Sequence, residues 1–134
     1  MKLKYIDLIE QTFDWPQDEF KLSSAGELEF HGIPLRDLID RFGTPLRFTY
    51  LPKIGANIRQ AHGWFHDAMR KLNYSGSYHY CYVTQSSHFR HVTEEVLTNG
   101  AHLETSSPFD LDIVSALERS GHLTKEATVI CNGF

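Results

Sequence analysis

The stretch that most constrains this chain is Tyr80–Asp110, YCYVTQSSHFRHVTEEVLTNGAHLETSSPFD. Tyr80–Thr84 is a short aromatic and β-branched run, the pattern of a buried strand. His88–Thr98 carries Phe89, Val92 and Val96 at helical spacing, and Asn99-Gly100 supplies a stop, since glycine tolerates the left-handed C-cap conformation. Ala101–Glu104 reads as a second strand. Ser107-Pro108 then opens another helix, with Ser107 as N-cap, Pro108 at the first helical position and Asp110 in the first turn. Two strands joined by a helix predict a parallel βαβ unit. Polar residues follow each strand: Gln85, Ser86, Ser87 and His88 after the first, Glu104, Thr105 and Ser106 after the second. In parallel α/β folds chemistry collects at those carboxyl ends.

The alternation extends on both sides. Ile54, Ile58, Ala61, Phe65, Ala68 and Leu72 form one apolar stripe, which predicts a helix over Lys53–Leu72. The helix opened at Pro108 is expected to run to about Arg119, burying Leu111, Val114 and Leu117, with Gly121 as its stop. Ala127–Cys131 is a third expected strand. Ahead of this lies an α+β lead-in. Met1–Gln11 is a candidate amphipathic helix and Thr12–Gln17 an aromatic link. Phe20–Leu22 and Leu28–Phe30 flank Ser24-Ala25-Gly26 as a hairpin. Leu35–Phe42 reads as a short helix, and Pro45–Leu51 as a strand.

The expected fold class is therefore α/β: a lead-in over residues 1–42, then residues 43–134 with helix, strand, helix, strand, helix, strand. Three parallel strands with open edges are an unusual end product. A closed β/α barrel takes about 250 residues, so this chain would supply only its first part.

Composition narrows the function classes. A formal net charge of −4 without a basic block gives no footprint for nucleic acid. No apolar run approaches the roughly 18 residues of a membrane span, and the N-terminus lacks a secretory apolar core. Cys81 and Cys131, both on expected strands, read as reduced, buried thiols of a cytoplasmic protein. Eight histidines raise the question of a metal, and His62 and His66 share one helix face. The HExxH glutamate is absent, and half-buried histidines commonly flank an apolar stripe, so no metal is expected. No GxSxG, GxGxxG or phosphate-loop motif occurs.

At Gly43-Thr44-Pro45-Leu46, Tyr82-Val83-Thr84-Gln85-Ser86-Ser87, Glu104-Thr105-Ser106-Ser107-Pro108-Phe109-Asp110 and Cys131-Asn132-Gly133-Phe134, the order and spacing resemble a known family. From Gly43 to Phe134 the chain is similar to the N-terminal part of the pyridoxal-phosphate decarboxylases with an alanine-racemase-like barrel. Bacterial arginine decarboxylases of polyamine biosynthesis give the nearest likeness. The resemblance implies a partial (β/α) barrel, an amino-acid substrate, pyridoxal phosphate as cofactor, and a homodimer. It also places the family's Schiff-base lysine on Gln85, whose amide nitrogen cannot condense with an aldehyde. Glu104, Ser107, Asp110 and His88 become candidate cofactor-side residues. Asp110 fits equally a helix-terminal charge, and Ser107 a plain cap.

Two functions follow as expectations. One is the N-terminal segment of an arginine-decarboxylase-like lyase, inactive by itself. The other is a non-catalytic interaction or regulatory protein that keeps the decarboxylase surface and caps a full-length partner. A small unrelated α/β domain is the remaining possibility.

Overall fold

The computed structural model describes residues 19–132, which group into two units, one ending at Phe48 and the other beginning at Thr49. The expected helix over Met1–Gln11 and the link over Thr12–Gln17 lie outside the described residues.

The first unit is a hairpin, a third short strand and a helix. β1 (Phe20–Leu22) pairs antiparallel with β2 (Leu28–Phe30), and β2 with β3 (Ile33–Pro34). The turn forms because Ser23 and Glu27 exchange bonds across it: Ser23 N–H donates to the Glu27 carbonyl at 2.8 Å, and Glu27 N–H to Ser23 Oγ at 3.1 Å. Gly26, at φ 77°, takes the left-handed position. Phe30 is buried against Phe20 and Phe48, with ring centroids 5.0 and 4.7 Å away. α1 (Leu35–Phe42) ends at Gly43, and none of its residues is fully buried.

The second unit is the βαβαβ alternation. It comprises α2 (Leu51–Lys71), β4 (Cys81–Val83), α3 (Arg90–Thr98), β5 (His102–Thr105), α4 (Pro108–Arg119) and β6 (Val129–Cys131). The strands are parallel in the order β4-β5-β6, with Tyr82 opposite Leu103 and Leu103 opposite Val129. The expected order and direction are thus found. One face of the sheet carries the core, where Leu103 packs with Ile58, Val92, Val96, Ala101 and Leu117. Strand alternation puts Cys81, Val83, His102, Glu104 and Ile130 on the other face, where none is fully buried.

Several expectations need correction. Pro45–Leu51 is not a strand: it has no ladder partner, and α2 already begins at Leu51. Pro52 permits that early start, because a first-turn residue has no intrahelical N–H bond to lose. The α2 stripe is not continuously covered. Ile58 is buried, but Phe65 is 50 % and Leu72 79 % exposed. The cause is length: 21 residues of helix span about 31 Å, whereas the four residues of β5 span about 13 Å. Phe89 is the exposed N-cap of α3 rather than part of its buried face. Tyr82 Oη donates to the Ser87 carbonyl at 3.0 Å, holding that approach extended and delaying the helix to Arg90. On α4, Leu111 is 46 % exposed, and Ile113 joins Val114 and Leu117 against the core. Cys131 is an exposed free thiol and Cys81 a half-buried one; β6 pairs only with β5, so its outer side is uncovered among the described residues.

Candidate functional site

The carboxyl ends of β4, β5 and β6 come together because the three strands are parallel and in register. Beyond β4 the chain turns through Thr84-Gln85-Ser86, with Ser86 N–H donating to the Val83 carbonyl at 3.1 Å. Gln85 is exposed on that turn. The buried Thr84 ties the turn to β5: its N–H and its hydroxyl both donate to the Glu104 carbonyl, at 3.0 and 3.1 Å.

Glu104 lies on the face of the sheet opposite the core, and its Oε1 accepts from Asn132 Nδ2 at 2.8 Å. Asn132 N–H also donates to the Thr105 carbonyl at 2.7 Å, continuing the ladder past β6. On the same face, burial first and then the Glu104 carboxylate push the Cys81 thiol above its ordinary value. Cys81 is therefore a protonated, poorly nucleophilic thiol at neutral pH.

Asp110 and Ser107 cap α4. Asp110 Oδ2 accepts from Ser106 N–H and Ser107 N–H at 3.0 Å each, and from Ser107 Oγ at 3.1 Å. The Ser106 N–H, then the Ser107 hydroxyl and N–H, hold the carboxyl below the usual carboxylate range. The Ser106 and Ser107 amides are thus engaged within the cap, and Pro108 has no N–H to offer. Asp110 and Ser107 form the capping box of α4.

His88 is placed elsewhere. It is exposed and, with Arg90, Thr93, Ile113, Ala116, Leu117 and Ser120, lines a groove of about 180 Å³ between α3 and α4. His62 and His66 have ring centroids 5.8 Å apart, and no group of three metal-ligating side chains occurs among the described residues.

Pyridoxal phosphate held as a Schiff base needs a lysine at the carboxyl ends, and the described lysines do not provide one. Lys21 is on β1, Lys53 and Lys71 lie near the two ends of α2, and Lys125 precedes β6, at the amino end of the sheet. No described lysine lies on the residues directly after β4, β5 or β6, so no reaction step is assigned to a covalently anchored cofactor. Asn132 enters the sequence reading only within the Cys131-Asn132-Gly133-Phe134 resemblance and not as a candidate site residue. Its signal is its place directly after the third expected strand; its partner becomes visible only through the register that sets Glu104 beside Ile130.

No protein-family model matches the chain. The chain is 24 % identical over 136 residues to the biosynthetic arginine decarboxylase of the bacterium Prochlorococcus marinus, with 90 % of the chain covered. It spans 20 % of that protein's length. This supports a distant relationship to a decarboxylase segment. Among the described residues no helix is long and apolar enough to cross a membrane.

Proposed function

We propose that this chain is an arginine-decarboxylase-like segment, corresponding to the first three parallel strands of a pyridoxal-phosphate barrel and unable to anchor the cofactor by itself. The observation that carries this is Gln85 on the turn after β4, at the end of the sheet where Glu104 and Asn132 also meet. The distant likeness to a decarboxylase and the parallel βαβαβ order support it. In a complete protein of this kind the reaction would be release of carbon dioxide from arginine. This chain's contribution would be a wall of the pocket, with Glu104 fixed by Asn132 as a carboxylate facing it.

The test is a pair of chimaeras in which this chain replaces the corresponding segment of the Prochlorococcus marinus decarboxylase, one with Gln85 and one with Gln85→Lys. Both are checked for folding by circular dichroism and assayed for carbon dioxide release from arginine. Activity in the Gln85→Lys form and none in the Gln85 form is expected. Two folded, inactive chimaeras, or an active Gln85 form, would overturn the reading.

A second reading is favoured by one observation. β4 and β6 each pair only with β5 among the described residues, leaving Ile130 43 % exposed on a strand without an outer neighbour. Such an edge suits a non-catalytic role capping a full-length decarboxylase. Co-sedimentation with that enzyme supports it, and independent sedimentation of the two opposes it.

A further inference from the structure

At the opposite, amino end of the sheet lies a hydrogen-bonded chain that the proposed function does not use. Ser77 Oγ and His79 Nε2 are 2.9 Å apart, as are His79 Nδ1 and His102 Nε2. Thr128 N–H donates to His102 Nδ1 at 3.0 Å. These groups belong to the lead-in of β4, the first residue of β5 and the lead-in of β6, so the chain crosses all three strand entrances.

The backbone donor fixes its direction. A neutral imidazole has one N–H and one lone pair. Thr128 N–H takes the lone pair on His102 Nδ1, so the His102 proton sits on Nε2 and is donated to His79 Nδ1. His79 must then carry its own proton on Nε2 and donate it to Ser77 Oγ. With both rings in this neutral form, every position is used once. An added proton has no place that leaves the chain intact: on His102 Nδ1 it faces the Thr128 N–H, and on His79 Nδ1 it faces the His102 N–H.

We propose that His79 and His102 form a tautomer-locked proton switch, which joins the amino ends of the three strands when neutral and releases them when protonated. The surroundings reinforce the neutral state. Burial first, then His79 and His62, depress His102 below the ordinary histidine value. The titratable groups reaching His102 are thus His79 from the β4 lead-in and His62 from α2, both cationic when charged. From the β6 lead-in it meets the Thr128 amide, a donor. The sign follows. A depressed histidine gives stability that is complete above the ordinary histidine value and is lost as pH falls below it, because the unfolded chain then binds more protons.

The experiment is a histidine ring nitrogen NMR titration of the full chain from about pH 8 to about pH 5, spanning the ordinary histidine value. Resonances are assigned with His79→Asn and His102→Asn, and urea midpoints are followed in parallel. The expected result is His102 predominantly in its Nε2–H form, titrating below the ordinary value. The urea midpoint should be flat in the upper half of the range and fall in the lower half. His102→Asn retains an acceptor toward Thr128 N–H but cannot gain a proton, so its fall should be much smaller. An Nδ1–H tautomer, titration at or above the ordinary value, or an unchanged fall in His102→Asn would overturn the switch. If that variant does not fold, the tautomer and titration of the native chain decide alone.

Discussion

The Asn99 side chain lies across Gly55 so closely that a Cβ there would stand 2.7 Å from its Cγ and nearer still to its Oδ1. Asn99 is not free to swing aside. Its Oδ1 accepts from Arg59 at 2.7 Å, and its Nδ2 donates to the Glu95 carbonyl and Oε1 at 2.8 and 2.9 Å. The end of α3 is thereby keyed into the first turns of α2. Gly55→Ala should therefore destabilise the chain by about 1–3 kcal/mol, although alanine is the better helix former. Chemical denaturation checks this. The double variant Gly55→Ala/Asn99→Ala should recover part of the loss, because the clash is gone; an additive loss would mean the contact is unimportant.

The two leucines on α4 should separate cleanly. Leu117 is 2 % exposed within the core, so Leu117→Ala should cost about 2–5 kcal/mol. Leu111 has no such enclosure, and Leu111→Ala should stay within about 0.5 kcal/mol. Equal losses in urea unfolding would mean that α4 is rotated relative to the face described above.

Asp110 should give an acid-side signature distinct from the histidines. Its folded value lies below the ordinary carboxylate value, so its contribution is present above that value and is lost as pH falls through the depressed one. Asp110→Asn should lower stability at neutral pH and flatten the dependence below about pH 4. A variant with the native acid slope would remove Asp110 as its source.

Gln85→Lys in the chain by itself should not produce a cofactor site. After pyridoxal phosphate and borohydride, peptide mapping should find scattered surface lysines, with position 85 modified no more than Lys53 or Lys125. A dominant adduct at position 85, in substoichiometric reagent, would show that the carboxyl-end residues already bind the cofactor.

The hairpin and the parallel order are legible because both are local grammar. Ser24-Ala25-Gly26 between two short apolar runs leaves few alternatives to a turn. Helices of 9 and 12 residues between the strands exclude hairpins there. Pro45–Leu51 misleads because aromatic and β-branched residues report fitness for a pleated surface, not whether a neighbouring strand exists. Phe65 and Leu72 mislead for a related reason: periodicity identifies a helix face but not how far the surface beneath it extends. At the site, the capping role of Asp110 can be read from its place three residues after Ser107. The bond from Asn132 to Glu104 and the meeting of His79 with His102 span 28 and 23 residues, and only strand register makes them neighbours.

The order β4-β5-β6 makes β5 the single articulation point of the second sheet. Removing either outer strand leaves a two-stranded ladder, whereas removing β5 leaves two strands with no bond between them. That strand contains Leu103 and Thr105, among the least accessible residues described, and His102 and Glu104, one at each end of the opposite face. Both polar clusters therefore hang on the same four residues. A slip of β5 by one position would exchange its two faces, expelling Leu103 from the core and dismantling the histidine chain and the Glu104–Asn132 pair at once. Any lineage retaining this arrangement would tolerate change along the outer strands more readily than along His102–Thr105.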